Sequence, residues 1–121
     1  MTTTPGTIGA HVYEVLTAAP AVSALVGDRV FPLVTKDPQD LPWVVYTDMS
    51  VIYGETKDGA EADSGTLTVL CASATYVDSV ALMEAAAAAL NGDDGLRVAS
   101  IRSYYAEETG FVQEINIKAD F

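Results

Sequence analysis

The chain opens with apolar residues spaced three and four positions apart. Five of them form one stripe, which predicts an amphipathic helix: Ile8, Val12, Val15, Leu16 and Ala19. Pro20 interrupts this pattern, and the run AVSAL after it predicts about one and a half further helical turns. Gly27 is suited to end that helix, because glycine readily adopts a left-handed conformation. The N-terminal quarter is therefore predicted to be a helix, a break and a short second helix.

Strand-like patterns follow. Residues 29–33 predict a brief strand closed by Pro32, and residues 34–42 predict a polar loop. The segment WVVYTDMSVIYGE is the clearest strand signal. A strict alternation would place two sets of residues on opposite faces: Trp43, Val45, Thr47, Met49, Val51 and Tyr53 against Val44, Tyr46, Asp48, Ser50 and Ile52. The second set is only half polar, so we expect part of that outer face to be covered as well.

Residues 54–65, GETKDGAEADSG, predict a long polar hairpin loop. The return strand, TLTVLCASA, places Leu67, Val69 and Cys71 on its apolar face. Thr75 is then a good N-cap for a helix of about 16 residues, YVDSVALMEAAAAALN, which Asn91 and Gly92 end. The predicted apolar stripe of that helix runs through Val77, Val80, Met83, Ala87 and Leu90.

Two strands close the chain. The first runs from Leu96 to about Glu107, and its apolar phase slips between Val98 and Ile101, which predicts a bulge near residues 99–100. The second, FVQEINIKADF, alternates so that Phe111, Ile115, Ile117, Ala119 and Phe121 face inward. We therefore predict a single α+β domain over residues 1–121. It has a mainly antiparallel sheet of four to five strands with two main helices packed on it.

The charge balance limits which binding partners we expect for the protein. The chain has 17 acidic and 6 basic residues and a formal net charge of -11, so it should repel nucleic-acid phosphates and anionic lipid. Its start lacks a signal-peptide pattern, and a single cysteine fits a reducing compartment. We therefore expect a soluble protein made in the cytoplasm, with no membrane and no sequence-specific nucleic acid among its partners.

Candidate chemistry is sparse. His11 is the only histidine and is expected to be a lone surface residue. Cys71, the only cysteine, is expected to act as a small buried hydrophobe. The carboxylates of residues 55–63 do not have the spacing of a calcium loop. No serine lies in a nucleophile elbow. We predict no catalytic residue, cofactor or metal.

One aromatic pair stands out near the C-terminus. Tyr104 and Tyr105 are adjacent in a predicted strand, so one ring should pack and the other should be exposed to water. An exposed ring of this kind can anchor a protein interface.

Three segments together resemble a known family. The runs AVSALVGDRVFP, LPWVVY and ASATYVDSVALMEAAAAAL resemble the tail completion, or tail terminator, proteins of long-tailed phages and their prophages. The resemblance covers roughly residues 8–120. It implies a homo-oligomeric ring, usually of six subunits, that caps the tail tube, ends tube polymerisation and helps join the tail to the head. The implied partners are further copies of the chain, the major tail tube protein and head–tail connector proteins. The implied locations are the host cytoplasm during assembly and then the virion tail.

The resemblance to tail completion proteins implies roles for the stretch before the first long strand. Asp28 and Arg29 would form a local ion pair or contact a neighbouring subunit. Pro32, Pro38 and Pro42 would set the course of the chain into a central strand. The remaining candidate oligomer or partner contacts are Glu55, Lys57, Asp58, Glu61, Asp63, Tyr104 and Tyr105. We hypothesise that the acidic hairpin faces the ring lumen or an axial partner, where it would repel passing DNA.

Two alternatives stay open. One is another neck protein, a head–tail connector or adaptor. The other is a monomeric ligand-binding or enzymatic α+β domain with a pocket between the helix at 75–91 and the sheet.

Overall fold

The structure is a computed structural model, and it describes residues 5–33, 41–53, 62–93 and 95–120. The helices and strands within these ranges follow the predicted order: α1 (Pro5–Ala18), α2 (Pro20–Val26), β1 (Val30–Pro32), β2 (Trp43–Tyr53), β3 (Ala62–Ser73), α3 (Tyr76–Asn91), β4 (Leu96–Ala106) and β5 (Gly110–Asp120). The predicted α+β class is confirmed. Residues 34–40 and 54–61, which hold most of the two predicted loops, lie outside the described residues.

The strands form one sheet in the order β1-β2-β3-β5-β4. Its four long strands pair antiparallel, as predicted, but β1 pairs parallel with β2, so the sheet is mixed rather than purely antiparallel. In the parallel pair β2 begins at the same end of the sheet as β1, with Val30 opposite Val44. The central strand is β3, and β2, which was predicted to be central, lies second from one edge.

Helices α1 and α2 pack on one face of the sheet. The predicted α1 stripe is confirmed: Ile8, Val12 and Leu16 are buried, and Val15 and Ala19 pack against them. The two helices bend by 85° at the predicted break. In the described ranges no helix on its own has the length and apolarity of a membrane span, although the bent pair meets that test when its two helices are combined.

The predicted alternation of β2 holds only in its first half. Val44 and Tyr46 belong to the main core beneath the helices, while Trp43 and Val45 are buried on the opposite face. An extra residue then interrupts the pairing with β3 between Thr47 and Ser50, and Asp48 has a φ of 53°. This bulge reverses the phase, so Met49 and Val51 pack against the main core. The prediction of two unbroken faces was therefore wrong.

The predicted stripe of α3 was also wrong in part. Its buried residues are Ser79, Leu82, Ala86 and Leu90, while Val77 is 74% exposed. Alanines fill positions 85–89 of this helix, so several phases are nearly equally apolar. Leu82 and Leu90, which bury the most area, fix the orientation. The predicted ends are confirmed: Thr75 accepts a hydrogen bond from the backbone of Asp78 (3.2 Å), and Gly92 caps the C-terminus.

Strands β3 and β4 each carry one further feature that bears on the sequence predictions. Strand β3 begins at Ala62 rather than at Thr66, because residues 62–65 already pair with β2. The bulge predicted in β4 is confirmed between Val98 and Ser100. It keeps Ile101 on the helix side of the sheet, opposite Ile115 of β5.

The main core lies between the helices and the sheet. A smaller cluster on the other face consists of Trp43, Val45, Ala72 and Val112. Both faces are therefore buried at this end of the sheet. Among the described residues, most of the large apolar side chains that stay exposed lie along β4 and at the start of α3, and these elements position the surface described next.

Candidate functional site

The part of the chain that the structure describes contains no group of three or more His, Cys, Asp or Glu side chains able to hold a metal ion. Cys71 is buried in the main core, on the apolar face where the sequence placed it. Burial raises the pKa of its thiol to about 12, so the reactive thiolate is scarce at neutral pH. Cys71 therefore contributes packing and is unsuited to nucleophilic or ligand chemistry.

His11 has a partner that the sequence did not reveal. Its Nε2 lies 2.9 Å from Oδ2 of Asp93, at the end of α3, so the prediction of a lone surface histidine was wrong. The hydrogen bond from His11 lowers the pKa of the Asp93 carboxyl group, although partial burial opposes this shift. The two residues are 82 positions apart, so no local pattern could reveal the pair. The contact fastens α1 to the turn between α3 and β4.

Arg29 makes two hydrogen bonds to the start of β2. Its Nε donates a hydrogen bond to the carbonyl oxygen of Pro42 (2.8 Å), and Val44 N donates to Arg29 O (2.9 Å). Between the described residues Asp28 and Arg29 no ion pair forms, which leaves Asp28 exposed at the turn. Arg29 therefore stabilises the turn within its own subunit. Whether Asp28 contacts a neighbour stays a prediction.

Strand β4 forms one edge of the sheet. It pairs with β5 on one side, and its other side meets no strand among the described residues. Its side chains are mostly exposed, including Ile101 (41%), Tyr104 (37%) and Tyr105 (62%). The two tyrosines point to opposite faces, as predicted, but both are exposed, so the prediction that one ring packs was wrong. An eleven-residue edge strand with exposed apolar groups is a template for pairing with another chain.

Aromatic rings extend this edge onto α3. Phe111 lies 5.1 Å from Tyr105 and 6.1 Å from Tyr76 between ring centroids. Val77 continues the apolar surface along the first turn of the helix. We call Tyr76, Val77, Ile101, Tyr104 and Tyr105 the edge patch. It holds five of the eight large apolar side chains that are exposed among the described residues. This concentration points to a protein-binding surface.

Charge around Tyr104 adds polar contacts to the edge patch. The Arg102 guanidinium lies 5.3 Å from the Tyr104 ring centre and 3.2 Å from a carboxylate oxygen of Glu114. Partial burial raises the pKa of the Tyr104 hydroxyl, and the Glu114 charge adds to the shift. The side chain of Arg102 is 68% exposed and can still reach a partner.

A buried polar chain holds β4 in place. Gln113 on β5 is 1% exposed, accepts a hydrogen bond from Ser103 Oγ and donates one to Ser79 Oγ (3.2 Å). Ser79 Oγ in turn donates to the Tyr76 carbonyl oxygen (2.7 Å). This chain joins β4, β5 and the first turn of α3, which are the elements that carry the edge patch. Sequence reasoning missed it: the alternation puts position 113 on the inward face of β5, but the predicted inward set passed over this polar residue.

Two clefts open on the described surface. The larger, about 410 Å³, lies between α2 and α3 and includes Leu25, Pro42, Asp78 and the buried Ser73. The smaller, about 250 Å³, lies at the bulges of β2 and β4 and includes Asp48 and Lys118. Neither brings together a nucleophile, a base and an oxyanion donor.

The other predicted contacts remain untested. Glu55, Lys57, Asp58 and Glu61 lie outside the described residues, and Asp63 is described only by its backbone in β3. The hypothesis of an acidic hairpin facing the lumen therefore stays a prediction.

Comparisons with known proteins agree with this picture. The solved structure titled "Virion of native gene transfer agent (GTA) particle" contains a similar chain, with a TM-score of 0.71 and 24% identity. The alignment covers 93% of this chain and 92% of that one, and at such identity it shows a shared fold. No curated protein matches. The family described as Tail completion protein gp17 matches over residues 10–119. The chain therefore belongs to the tail completion protein gp17 family, a family of structural phage tail proteins.

Proposed function

We propose that the chain assembles into a homo-oligomeric ring that caps the tail tube, ends tube polymerisation and helps join the tail to the head. Its partners in this role are further copies of itself, the major tail tube protein and head–tail connector proteins. Its place in the virion is the tail, at the junction with the head.

The observation that carries this proposal is the edge patch in a member of a tail completion family. The exposed groups that stand out on the described surface are apolar and aromatic, and they lie along an unpaired strand. Such a surface suits binding to another protein. Membership of the tail completion family favours the tube end over a connector or adaptor elsewhere in the neck.

Electrostatics set the conditions for assembly. Identical copies that each carry a formal charge of -11 repel one another, so association should strengthen as salt screens the charges. At roughly 0.5 M salt the screening length is about 4 Å, short enough for contact forces to dominate. We expect the mass measured by light scattering to shift from subunit towards closed oligomer as salt rises.

A tube-growth assay tests the function itself. Purified tail tube protein is allowed to polymerise with and without the chain, and tube lengths are measured by electron microscopy. We expect shorter tubes that stop growing and carry extra density at one end. A matched control adds the same chain with Ile101→Lys and Tyr105→Lys, which places charges on the edge patch and should leave growth unchecked. Tubes that grow equally long with the unaltered chain would contradict the proposal.

A further inference from the structure

We infer that the ring is built by the two unlike edges of the sheet, with β4 of one copy binding along β1 of the next copy. This inference rests on the proposed ring and deepens it by naming the two surfaces that meet.

The two edges lie too far apart to meet within one molecule. Strands β1 and β4 are the outermost of five, so about 19 Å separates them at the usual strand spacing. Within the described residues each of the two strands pairs on one side only. Unlike edges on opposite sides of a subunit make a head-to-tail contact, and a head-to-tail contact closes into a ring when the rotation allows it.

The strand directions suit this contact. Strand β1 runs parallel to β2, and each later step across the sheet, from β2 to β3, β5 and β4, reverses the direction. Strand β4 is therefore antiparallel to β1. When a rotation about an axis along the strands places the next copy alongside, its β1 lies antiparallel to the free side of β4. The added pair would continue the antiparallel pattern that dominates the sheet.

The levels of the two edges also match. Following the pairing across the sheet, Pro32 lies opposite Tyr46, Tyr46 opposite Val69, Val69 opposite Ile115, and Ile115 opposite Ile101. Strand β1 thus ends at the level of the exposed Ile101. Copies in a closed ring share one height, so β1 of the next copy reaches the middle of β4.

The residue after β1 has two unusual features. Leu33 is 61% exposed, and its φ is 65°. A left-handed conformation is costly for a branched, bulky residue, and glycine or asparagine would adopt it with less strain. Strain of this kind is typical of functional positions. Leu33 lies one step beyond the level of Ile101, so its side chain would meet the apolar middle of β4 in the next copy.

One pair of exposed charges on the two edges has opposite signs. Arg102 is exposed on the β4 edge at the level of Phe31, and Asp28 is exposed three residues before Phe31, in the turn that leads into β1. On a chain with a net charge of -11, a basic residue at one edge and an acidic residue at the other favour head-to-tail binding.

Cysteine cross-linking tests this arrangement directly. The native Cys71 is buried, so it should stay silent towards a thiol reagent. The double variant Leu33→Cys/Ile101→Cys is assembled under ring-forming conditions and treated with a short bis-maleimide. We expect a ladder of covalent oligomers that stops at the ring size measured by light scattering. Both substituted residues are exposed, and circular dichroism verifies the fold of each variant.

Three controls test whether cross-linking depends on the proposed pairing of β4 with β1. Each single variant should give at least tenfold less cross-linking, because a head-to-tail contact does not place like positions together. The register control Leu33→Cys/Arg97→Cys moves the second thiol three levels along the sheet, about 10 Å, and onto its other face, because the β4 bulge takes up one residue; it should also give at least tenfold less cross-linking. The third control, Leu33→Cys/Val77→Cys, places the second thiol on α3, off the β4 strand, and should likewise give at least tenfold less cross-linking.

Every outcome bears on the inference. Dimers from Ile101→Cys alone would show two β4 edges meeting and would overturn it. A ring seen by light scattering whose double variant cross-links no better than the register control would also overturn it, while the proposed function would stand. A chain that forms no ring and leaves tube growth unchecked would refute the proposed function, and the inference with it.

Discussion

The buried polar chain beneath the edge patch allows a sharp test of how this fold is held together. Ser79→Ala removes the oxygen that accepts the Gln113 amide, at a site where Ser79 is fully buried and Gln113 is 1% exposed. A buried donor left without a partner costs about 1–3 kcal/mol. Alanine returns about 0.5 kcal/mol through its higher helix propensity. The net loss should be about 1.5 kcal/mol, or a fall in Tm of roughly 5–9 °C for a chain of this length.

Ser103→Ala is the matched comparison. It removes the other hydrogen-bond partner of Gln113, but Ser103 is exposed at the β4 edge, so water can replace its hydroxyl. We expect a loss of about 0.5 kcal/mol or less. The double variant Ser79→Ala/Gln113→Leu removes both members of the buried bond and should recover most of the stability lost in Ser79→Ala.

Urea unfolding followed by circular dichroism measures all three variants. The chain concentration is held constant in a monomeric regime, because oligomerisation would shift the apparent stability. Equal losses for Ser79→Ala and Ser103→Ala would refute the reasoning, since they would mean that the two sides of Gln113 are equally open to water.

Further predictions concern other parts of the fold. Gly110→Ala should cost about 2 kcal/mol or more, because a Cβ at its φ of +79° would lie 2.7 Å from a backbone carbonyl oxygen. Gly27→Ala meets open space, so only its φ of +61° costs, about 1–2 kcal/mol, and the loss should be smaller than for Gly110→Ala; equal losses on urea unfolding would contradict this difference. His11 lowers the pKa of Asp93 below its ordinary 3.8, so the stability this carboxylate adds is complete above about pH 3.8 and is lost as pH falls through the lowered pKa. Asp93→Asn should flatten that part of the acid-unfolding curve, and an unchanged curve would count against the pair. Cys71 should react with a thiol reagent only after unfolding, and rapid labelling of the folded chain would disprove its burial.

Sequence-based prediction succeeded where a residue type clearly indicated a buried or an exposed position, and it failed where the residue type fitted both. The β4 bulge was visible because Val98 and Ile101 break an otherwise regular alternation. The β2 bulge was invisible because apolar residues occupy both phases of that strand, and Asp48 tolerates a left-handed conformation without a glycine to announce it. In α3 the alanines fit several orientations of the helix, and the burial of Leu82 in the core selects one of them.

The candidate site shows the same limit. Tyr104 and Tyr105 could be singled out from the sequence, since adjacent aromatics on a strand cannot both be buried by one face. The contacts of Phe111 with Tyr105 and with Tyr76 depend on how α3 crosses the sheet, which no local pattern specifies. The parallel pairing of β1 was likewise hidden, because a three-residue strand carries almost no periodic signal.

The central claim is that this chain acts by binding copies of itself through the outside of its fold. Cryo-electron microscopy of capped tail tubes tests it most directly, by counting the copies at each tube end. The account predicts one closed ring of the chain at one end of every capped tube, with the same number of copies each time. A single copy at the end, or ends that lack the chain altogether, would contradict it.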